Sequence, residues 1–500
     1  MNDNVILLPC FVAVPLAAAF VNSLLGKRIP RIPDLLGSLT PLILLGLSLL
    51  AVQTVRSDSV LVYQVGGWKL PIGIAMVVDG LTAFMLVTVN MVAFAIAVYA
   101  RDYMERYTSK DMFYTLFLLM LTGMNGVIVS GDLFNLFVFL EIAAVASYAL
   151  VAFGTERHEL EAAFKYAVMG TLGSLFILLG IVFLYSVTST LNMADMGQML
   201  AEQKDDNIIL MVSVLFLMGF GLKAALVPFH AWLPDAHPSA PAPISAMLSG
   251  VLIKSLGVYA LSRIFFNVIG LTPAVSSILM FLGTLSMVVG VLLAMGQRDL
   301  KRLLAYSSIS QIGYVFLGIG LGTPLGILGG ILHLFNHSVF KALLFLNSGA
   351  LEYATGTRDL KAMGGLRKKM PVTSATSFVA SMSIAGMPPF SGFWSKLLII
   401  VAAVQADHLG YALWAVLVSV LTLALFASVI KNAFLGELDD RWQDVREVPG
   451  AMRASMMALA LICMLGGTLL VPAIRDVFLN PATEVFVQGS NYAKLLLGNI

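Results

Sequence analysis

Five lysines stand where lysine is expensive. Lys165, Lys223, Lys254, Lys341 and Lys396 each lie inside a long apolar run, and a charge at the centre of a bilayer costs about 2.5–3.5 kcal/mol on insertion scales. Burial lowers the proton affinity of an amine toward neutrality, and a carboxylate beside it raises that affinity again, so a lysine held at depth is chemically suited to taking up and releasing protons. Glu141, within GDLFNLFVFLEIAAVASYAL, is the one carboxylate that falls near mid-depth, and Lys223 is its natural partner. Making and breaking that pair would swing the proton affinity of the lysine; the plain alternative is a static salt bridge. Lys254, between Leu252-Ile253 and Leu256, is too deep to snorkel, whereas Lys165 lies only a few residues into its run and can reach an interface.

Histidines extend the pattern. His333, His337 and Lys341 are spaced i, i+4, i+8 and share one stripe of a helix. Imidazole titrates near neutral pH and can pass a proton between its two nitrogens, so the stripe suits a relay, with satisfied core histidines as the bland reading. The pair matches half a metal site, but no acidic or cysteine ligand accompanies it on the helix, so no metal is expected. His230, Asp235 and His237 come from VPFHAWLPDAHPSAPAPISA, which carries Pro228, Pro234, Pro238, Pro241 and Pro243. Prolines this dense are expected to forbid a regular helix and to force an irregular segment, tolerable only against protein or water. That segment is either a water-accessible mouth near the cytoplasmic side or an ordinary connecting loop.

The elements that must position these groups are membrane-spanning helices. Of 500 residues 59% are hydrophobic and only 12% charged, which makes the bilayer the solvent and an all-α, polytopic fold the expectation. A net charge of +2 gives no field for nucleic acid. Cys10 and Cys463 lie in apolar runs as small hydrophobes. With no cysteine cluster, P-loop or dinucleotide fingerprint, no cofactor is expected, and any redox chemistry belongs to partners. Breaks at charges and at Gly/Pro clusters place fourteen spans near 5–25, 34–54, 75–99, 112–130, 132–153, 160–187, 207–229, 240–266, 273–295, 301–322, 325–351, 371–403, 409–436 and 451–474. The first lacks the charged leader and cleavage site of a signal peptide and reads as a retained span. Between the second and third, Ser59–Ile74 alternates around Gly66-Gly67 as an extramembrane hairpin.

Lys and Arg sort by loop. Odd loops hold 19 of them, including Lys27, Arg101, Arg157, Lys301 and Lys368, whereas even loops and the tail hold Arg56, Lys69, Lys204, Arg263, Arg475 and Lys494. The positive-inside rule then puts the odd loops in the cytoplasm of an inner-membrane protein, with both termini outside. The sequence also repeats itself: Ala163-Phe164-Lys165 reappears as Val339-Phe340-Lys341, and Lys223, just before the break at Pro228, is answered by Lys396, just after the break at Pro388-Pro389. A five-helix duplication, inverted because five is odd, divides the chain into 1–100, 101–270 (first repeat), 271–440 (second repeat) and 441–500. Interrupted helices at corresponding positions of inverted halves point to a midplane ion site.

These residues resemble a known family. GDLFNLFVFLE, GLKAALVPFHAWLPDAHPSAPAPISAMLSGVLIKSLGVYA, HLFNHSVFKALLFL and GMPPFSGFWSK are similar to the signature regions of proton-translocating antiporter-like subunits. Such subunits occur in respiratory complex I, in Mrp-type cation/proton antiporters as the D-type component, and in membrane-bound hydrogenases and formate hydrogenlyase. The resemblance covers roughly residues 60–470. It implies that Glu141 and Lys223 are the ion pair, Lys254 the connecting lysine, His333 and Lys341 the continuation of a polar axis, and Lys396 its terminal base. Lys396 favours the lysine-ended branches that include the D-type component of Mrp, while FHAWLPDAHPSAP is more similar to the hydrogenase-associated relatives. With no long lateral helix after span fourteen, the largest complex I member is not expected.

The implied function is proton movement within a larger complex. Expected partners are other antiporter-like and small membrane subunits, with a hydrogenase or a ferredoxin/NADH oxidoreductase arm as the redox source, and the lipid bilayer. Sodium needs several oxygen ligands, so a sodium path fits an interface between subunits better than this chain alone. Two other classes fit the composition: a self-contained secondary transporter and a passive membrane anchor for a redox arm.

Overall fold

The computed structural model describes residues 6–58, 60–107, 109–202, 206–491 and 493. Val5, Ser59, Lys204 and Lys494 lie outside them.

Helices dominate because apolar runs of this length can satisfy their backbone only internally. In chain order they are α1 (Leu7–Leu25), α2 (Ile32–Asp58), the short strands β1 (Leu61–Gln64) and β2 (Ala75–Val78), α3 (Gly80–Tyr103), α4 (Lys110–Val129), α5 (Leu133–Val151), α6 (Arg157–Thr188), α7 (Met193–Glu202) and α8 (Asp206–Ala224). There follow α9 (Leu233–Ser239), α10 (Ala242–Met247), α11 (Ala260–Asn267), α12 (Pro273–Met295), α13 (Leu300–Gly320), α14 (Pro324–Thr355), α15 (Pro371–Ala385), α16 (Ser391–Gln405), α17 (Leu409–Phe434), α18 (Gly450–Leu465) and α19 (Pro472–Val487). Many starts are set by side-chain caps: Asp79 accepts from Thr82 N at 2.8 Å, Asp132 from Asn135 N at 2.7 Å and Asp299 from Arg302 N at 2.9 Å. Among the described residues 13 helices are long and apolar enough to cross a membrane. The remaining expected span, 371–403, is split into the fifteen-residue halves α15 and α16.

The centre of the bundle is the continuous helix 242–267, buried throughout, with α13 and α14 nearly so. The outer helices α1 and α17 leave most of their apolar surface open, as lipid-facing helices do. Polar and charged side chains on 242–267, α13 and α14 are thereby screened from hydrocarbon, which is what lets the sequence carry them.

Several expectations need correction. The hairpin exists, with Leu61 opposite Val78 and Gln64 opposite Ala75, but its second strand occupies residues assigned to the third span. That span starts later because Asp79 caps it. The proline-rich segment does not stay irregular: Pro234 and Pro243 sit in the first turns of α9 and α10, where a missing N–H costs nothing. Irregularity is confined to the stretch between Ala224 and Leu233, where Ala225 turns the chain with φ 55°, and to the turn at Ala240-Pro241 between α9 and α10. The last span runs from Gly450 to Leu470, its final five residues as a 3-10 helix, and α19, unforeseen in the sequence, folds back against α3 and α14.

The duplication is real, but its register differs from the one read off the lysines. Spans α6 and α14 are both 32 residues long, and 242–267 and α17 are both 26. Their loops match bond for bond: Leu133 N donates to Leu191 O as Leu300 N does to Arg358 O, and Met193 N to Gly131 O as Leu360 N does to Arg298 O. Isolated bridges join Asp132 to Asn192 and Asp299 to Asp359. Every one of these pairs is related by the same shift, that from Asp132 to Asp299. In that register the counterpart of Lys341 is Ser174, not Lys165. Three similar residues were too few to fix a register that the loop hydrogen bonds specify. Lys223 precedes its break and Lys396 follows its own, so the two are not equivalent positions either.

Candidate functional site

At one end of a buried polar line is the expected pair. Lys223 lies in the last turn of α8, where Ala225 and Pro228 stop the helix, and its Nζ stands 3.6 Å from Glu141 Oε1. Ser174 Oγ donates to the same carboxylate oxygen from α6, and Lys223 reaches the Tyr148 hydroxyl at 3.5 Å. Three helices thus fix one ion pair, with the lysine almost wholly buried.

Lys254 sits at the centre of the molecule with no exposed surface. Its helix winds into π turns at Leu248–Leu252 and Lys254–Tyr259, an irregularity often found where a helix bears function. Its ammonium donates to Ser249 O, and the Ser249 hydroxyl meets that of Ser308 on α13 at 2.8 Å. Lys341 follows on α14, donating to Leu304 O at 2.8 Å and to the Ser307 hydroxyl. His333 and His337 lie on the same stripe, their rings nearly parallel at 6.4 Å; His333 Nδ1 meets Ser395 Oγ on α16 at 2.9 Å. Lys396 ends the line. It donates to Ile384 O at 2.8 Å, at the C-terminal end of α15 where helix carbonyls are unpaired, and lies 4.7 Å above the Tyr314 ring. The break between α15 and α16 therefore holds a cation at a helix terminus suited to one. Among the described residues no carboxylate lies within ion-pair distance of Lys254, Lys341 or Lys396.

Many polar atoms along this line have no protein partner among the described residues: both ring nitrogens of His237 and His337, His333 Nε2, and both amide atoms of Gln311. An unpaired buried polar atom costs about 1–3 kcal/mol, and such sites are normally satisfied by bound water with two to four polar neighbours. The line is chemically equipped to hold water between its titratable groups. Among the described residues no three His, Cys, Asp or Glu side chains come together as metal ligands.

Not every candidate joins the line. Lys165 is 49% exposed at the surface, paired with Glu161 at 2.8 Å and Asp235 at 3.2 Å. His230 is half-buried on the break after α8, while His237 is wholly buried. Asp235 lies on a charged cleft with Lys165, Arg302 and Arg358, in keeping with a water-accessible mouth. Two buried cations were missed. Lys301 and Arg263, both counted as loop charges, are buried inside helices: Lys301 bonds Ala240 O at 3.1 Å, and Arg263 pairs with buried Asp79. Asp299 followed by an apolar run is a helix-start signal that would have placed Lys301 inside.

Known proteins share this architecture. A family profile described as NADH:quinone oxidoreductase/Mrp antiporter, transmembrane, matches residues 130–422. A second, for the N-terminus of chain 5 of complex I NADH-ubiquinone oxidoreductase, matches residues 63–114. The N-type component of the NADH-quinone oxidoreductase of Desulforudis audaxviator is 38% identical over 417 residues, 81% of this chain and 83% of its own length. The D-type component of the Na+/H+ antiporter of Alkalihalophilus pseudofirmus is 37% identical over 384 residues, 77% and 78% of the two chains. Among solved structures, a chain of the Mrp complex from Dietzia sp. DQ12-45-1b superposes with a TM-score of 0.90 at 29% identity over 100% of both chains. A chain of the membrane-bound sulfane sulfur reductase, an archaeal respiratory membrane complex, does so with a TM-score of 0.88 at 31% identity over 98% and 99%. With most of its spans inside the matched region and relatives of this identity over most of its length, the chain is a multi-pass membrane protein that belongs to the NADH:quinone oxidoreductase/Mrp antiporter transmembrane family.

Proposed function

We propose that the chain is the proton-translocating, antiporter-like subunit of a multisubunit membrane complex, of the Mrp D type or its equivalent in a complex I-related oxidoreductase. The observation that carries the reading is the buried line of amines and imidazoles, Lys223, Lys254, Lys341, His337, His333 and Lys396, set among polar atoms that have no protein partner among the described residues. A proton taken up at Lys223 when Glu141 lets go passes through Lys254 to Lys341 and His333, and leaves at Lys396. The breaks at Pro228 and at Pro388-Pro389 admit water and absorb the small movements that switching requires. Residues 101–270 and 271–440 act as the two half-channels, flanked by 1–100 and 441–500.

The complex supplies what this chain lacks. Its partners are further antiporter-like and small membrane subunits, and a redox arm of the hydrogenase or ferredoxin/NADH type where the driving force is electron transfer. A sodium path, where one exists, runs along an interface with those subunits. The membrane is the inner, cytoplasmic one, with both termini on its outer side.

The test is transport by the intact complex in proteoliposomes. Glu141→Ala and Lys223→Ala are each expected to leave assembly intact and to abolish proton movement. Wild-type transport by both variants would remove the relay. Transport by this chain reconstituted alone would instead identify a self-contained carrier.

A further inference from the structure

A second buried lysine–glutamate pair lies away from the first. Lys301 on α13 and Glu352 near the end of α14 are 3.1 Å apart, with side chains 3% and 28% exposed; the corresponding values for Lys223 and Glu141 are 4% and 30%. Glu352 has an alternative partner, because Arg358 Nε stands 3.7 Å from its other oxygen. Arg358 is in turn held by Asp299 at 3.1 Å. One carboxylate between two cations, one of which has a carboxylate of its own in reserve, can change partners without leaving a bare charge.

The pair stands between water and the polar line. Outward, Arg358 and Asp299 line a cleft of about 290 Å³ together with Lys165, Glu161, Asp235 and Arg302, at the end of the bundle that the Lys/Arg bias assigns to the cytoplasm. Inward, both cations hold the turn after α9: Lys301 Nζ donates to Ala240 O at 3.1 Å and Arg358 Nη1 to Pro238 O at 2.6 Å. The Ser245 hydroxyl ties the same turn, donating to His237 O at 2.7 Å and to Ala240 O at 3.2 Å. His237 is buried, has no protein partner for either ring nitrogen among the described residues, and lies within electrostatic reach of Lys341 and Lys254. The phenols of Tyr103 and Tyr107 also lie within electrostatic reach of Glu352.

We propose that Glu352 gates proton uptake, exchanging between Lys301 and Arg358 to pass protons from the charged cleft to His237 and on to the central lysines. This rests on the relay reading above and adds a second inlet, which loads the central lysines beyond Lys223; both loadings are needed for a turnover. Glu352 takes a proton from cleft water, which cancels the countercharge of Lys301. Lys301 then gives its own proton, through water, to the His237 ring. The proton on Glu352 passes to the now neutral amine, and the original pair is restored with one proton moved inward. The partner swap also moves the turn that carries His237, because each cation is bonded to it.

The test uses the assembled complex in proteoliposomes and the variants Glu352→Gln, Glu352→Asp, Arg358→Gln and Lys254→Met. Glu352→Gln keeps shape and loses the titrating group. Its transport is expected to fall by about 10²-fold, the low end of what a positioned proton-transfer group contributes, and to recover in Glu352→Asp. Arg358→Gln, which locks the pair, is expected to slow transport and to steepen its dependence on proton concentration on the cleft side. The gate is overturned if Glu352→Gln transports like wild type while Lys254→Met does not. It is equally overturned if Glu352→Gln loses transport only in proportion to assembled protein, as a structural clamp would. Wild-type transport by Lys254→Met would remove the relay itself, a separate outcome.

Discussion

A buried cation without a function should be replaceable, and a buried cation with a dedicated countercharge should not. Arg263 and Asp79 are both buried and paired to each other. Removing one partner leaves an uncompensated charge, at a cost of about 3–5 kcal/mol. Arg263→Gln or Asp79→Asn alone is therefore expected to lower the yield of folded protein and its unfolding temperature, and the double variant to recover much of the loss. A double-mutant cycle measures the coupling; additive effects would show that the pair contributes nothing beyond its members. Lys254, Lys341 and Lys396 differ in kind, since backbone carbonyls and serine hydroxyls hold them rather than carboxylates. That is the setting of a group meant to give up its proton, because among the described residues no carboxylate pins the ammonium form.

Among the elements, the caps and breaks carry the design. Asp132 and Asp299 begin α5 and α13 in the two copies of the repeat, and each accepts the amide three residues on. Asp132→Ala and Asp299→Ala are each expected to cost about 1 kcal/mol of stability, read as similar downward shifts of the thermal unfolding midpoint in detergent. A large inequality between the two would mean that the loops are not equivalent in energy although they match in hydrogen bonding. The breaks after α8 and α15 were legible, since Pro228 and Pro388-Pro389 cannot continue a helix. The π turns around Lys254 were not, because LSGVLIKSLGVY carries no proline or other signal that separates a π turn from an ordinary α-helix.

For the whole molecule, orientation follows from which loops hold lysine and arginine. The loop 356–370 carries Arg358, Lys361, Arg367, Lys368 and Lys369, so a cysteine placed at Lys368 is expected to react with an impermeant thiol reagent only from the cytoplasmic face. One placed at Trp68, exposed in the hairpin loop, should react only from outside. Both measurements use a background in which Cys10 and Cys463 are replaced, and the opposite labelling pattern would invert the membrane topology. Partners act at this scale too: Glu141 is only partly covered by its own chain, so a neighbouring subunit can complete its burial.

The sequence by itself determined the solvent, the number and rough placement of the spans and the broken helices, because apolar length and helix-breaking chemistry are local properties. It also suggested that the chain repeats. Tertiary structure alone decided the register of that repeat, which charges are truly buried, and which of them meet. Lys165 and Lys301 show why: along the chain the first reads as lying inside a span and the second as a loop charge, the reverse of their burial in the fold. One ends among carboxylates at the surface and the other beneath α9, because burial is set by the neighbours that fold over a residue, and those lie far away in sequence.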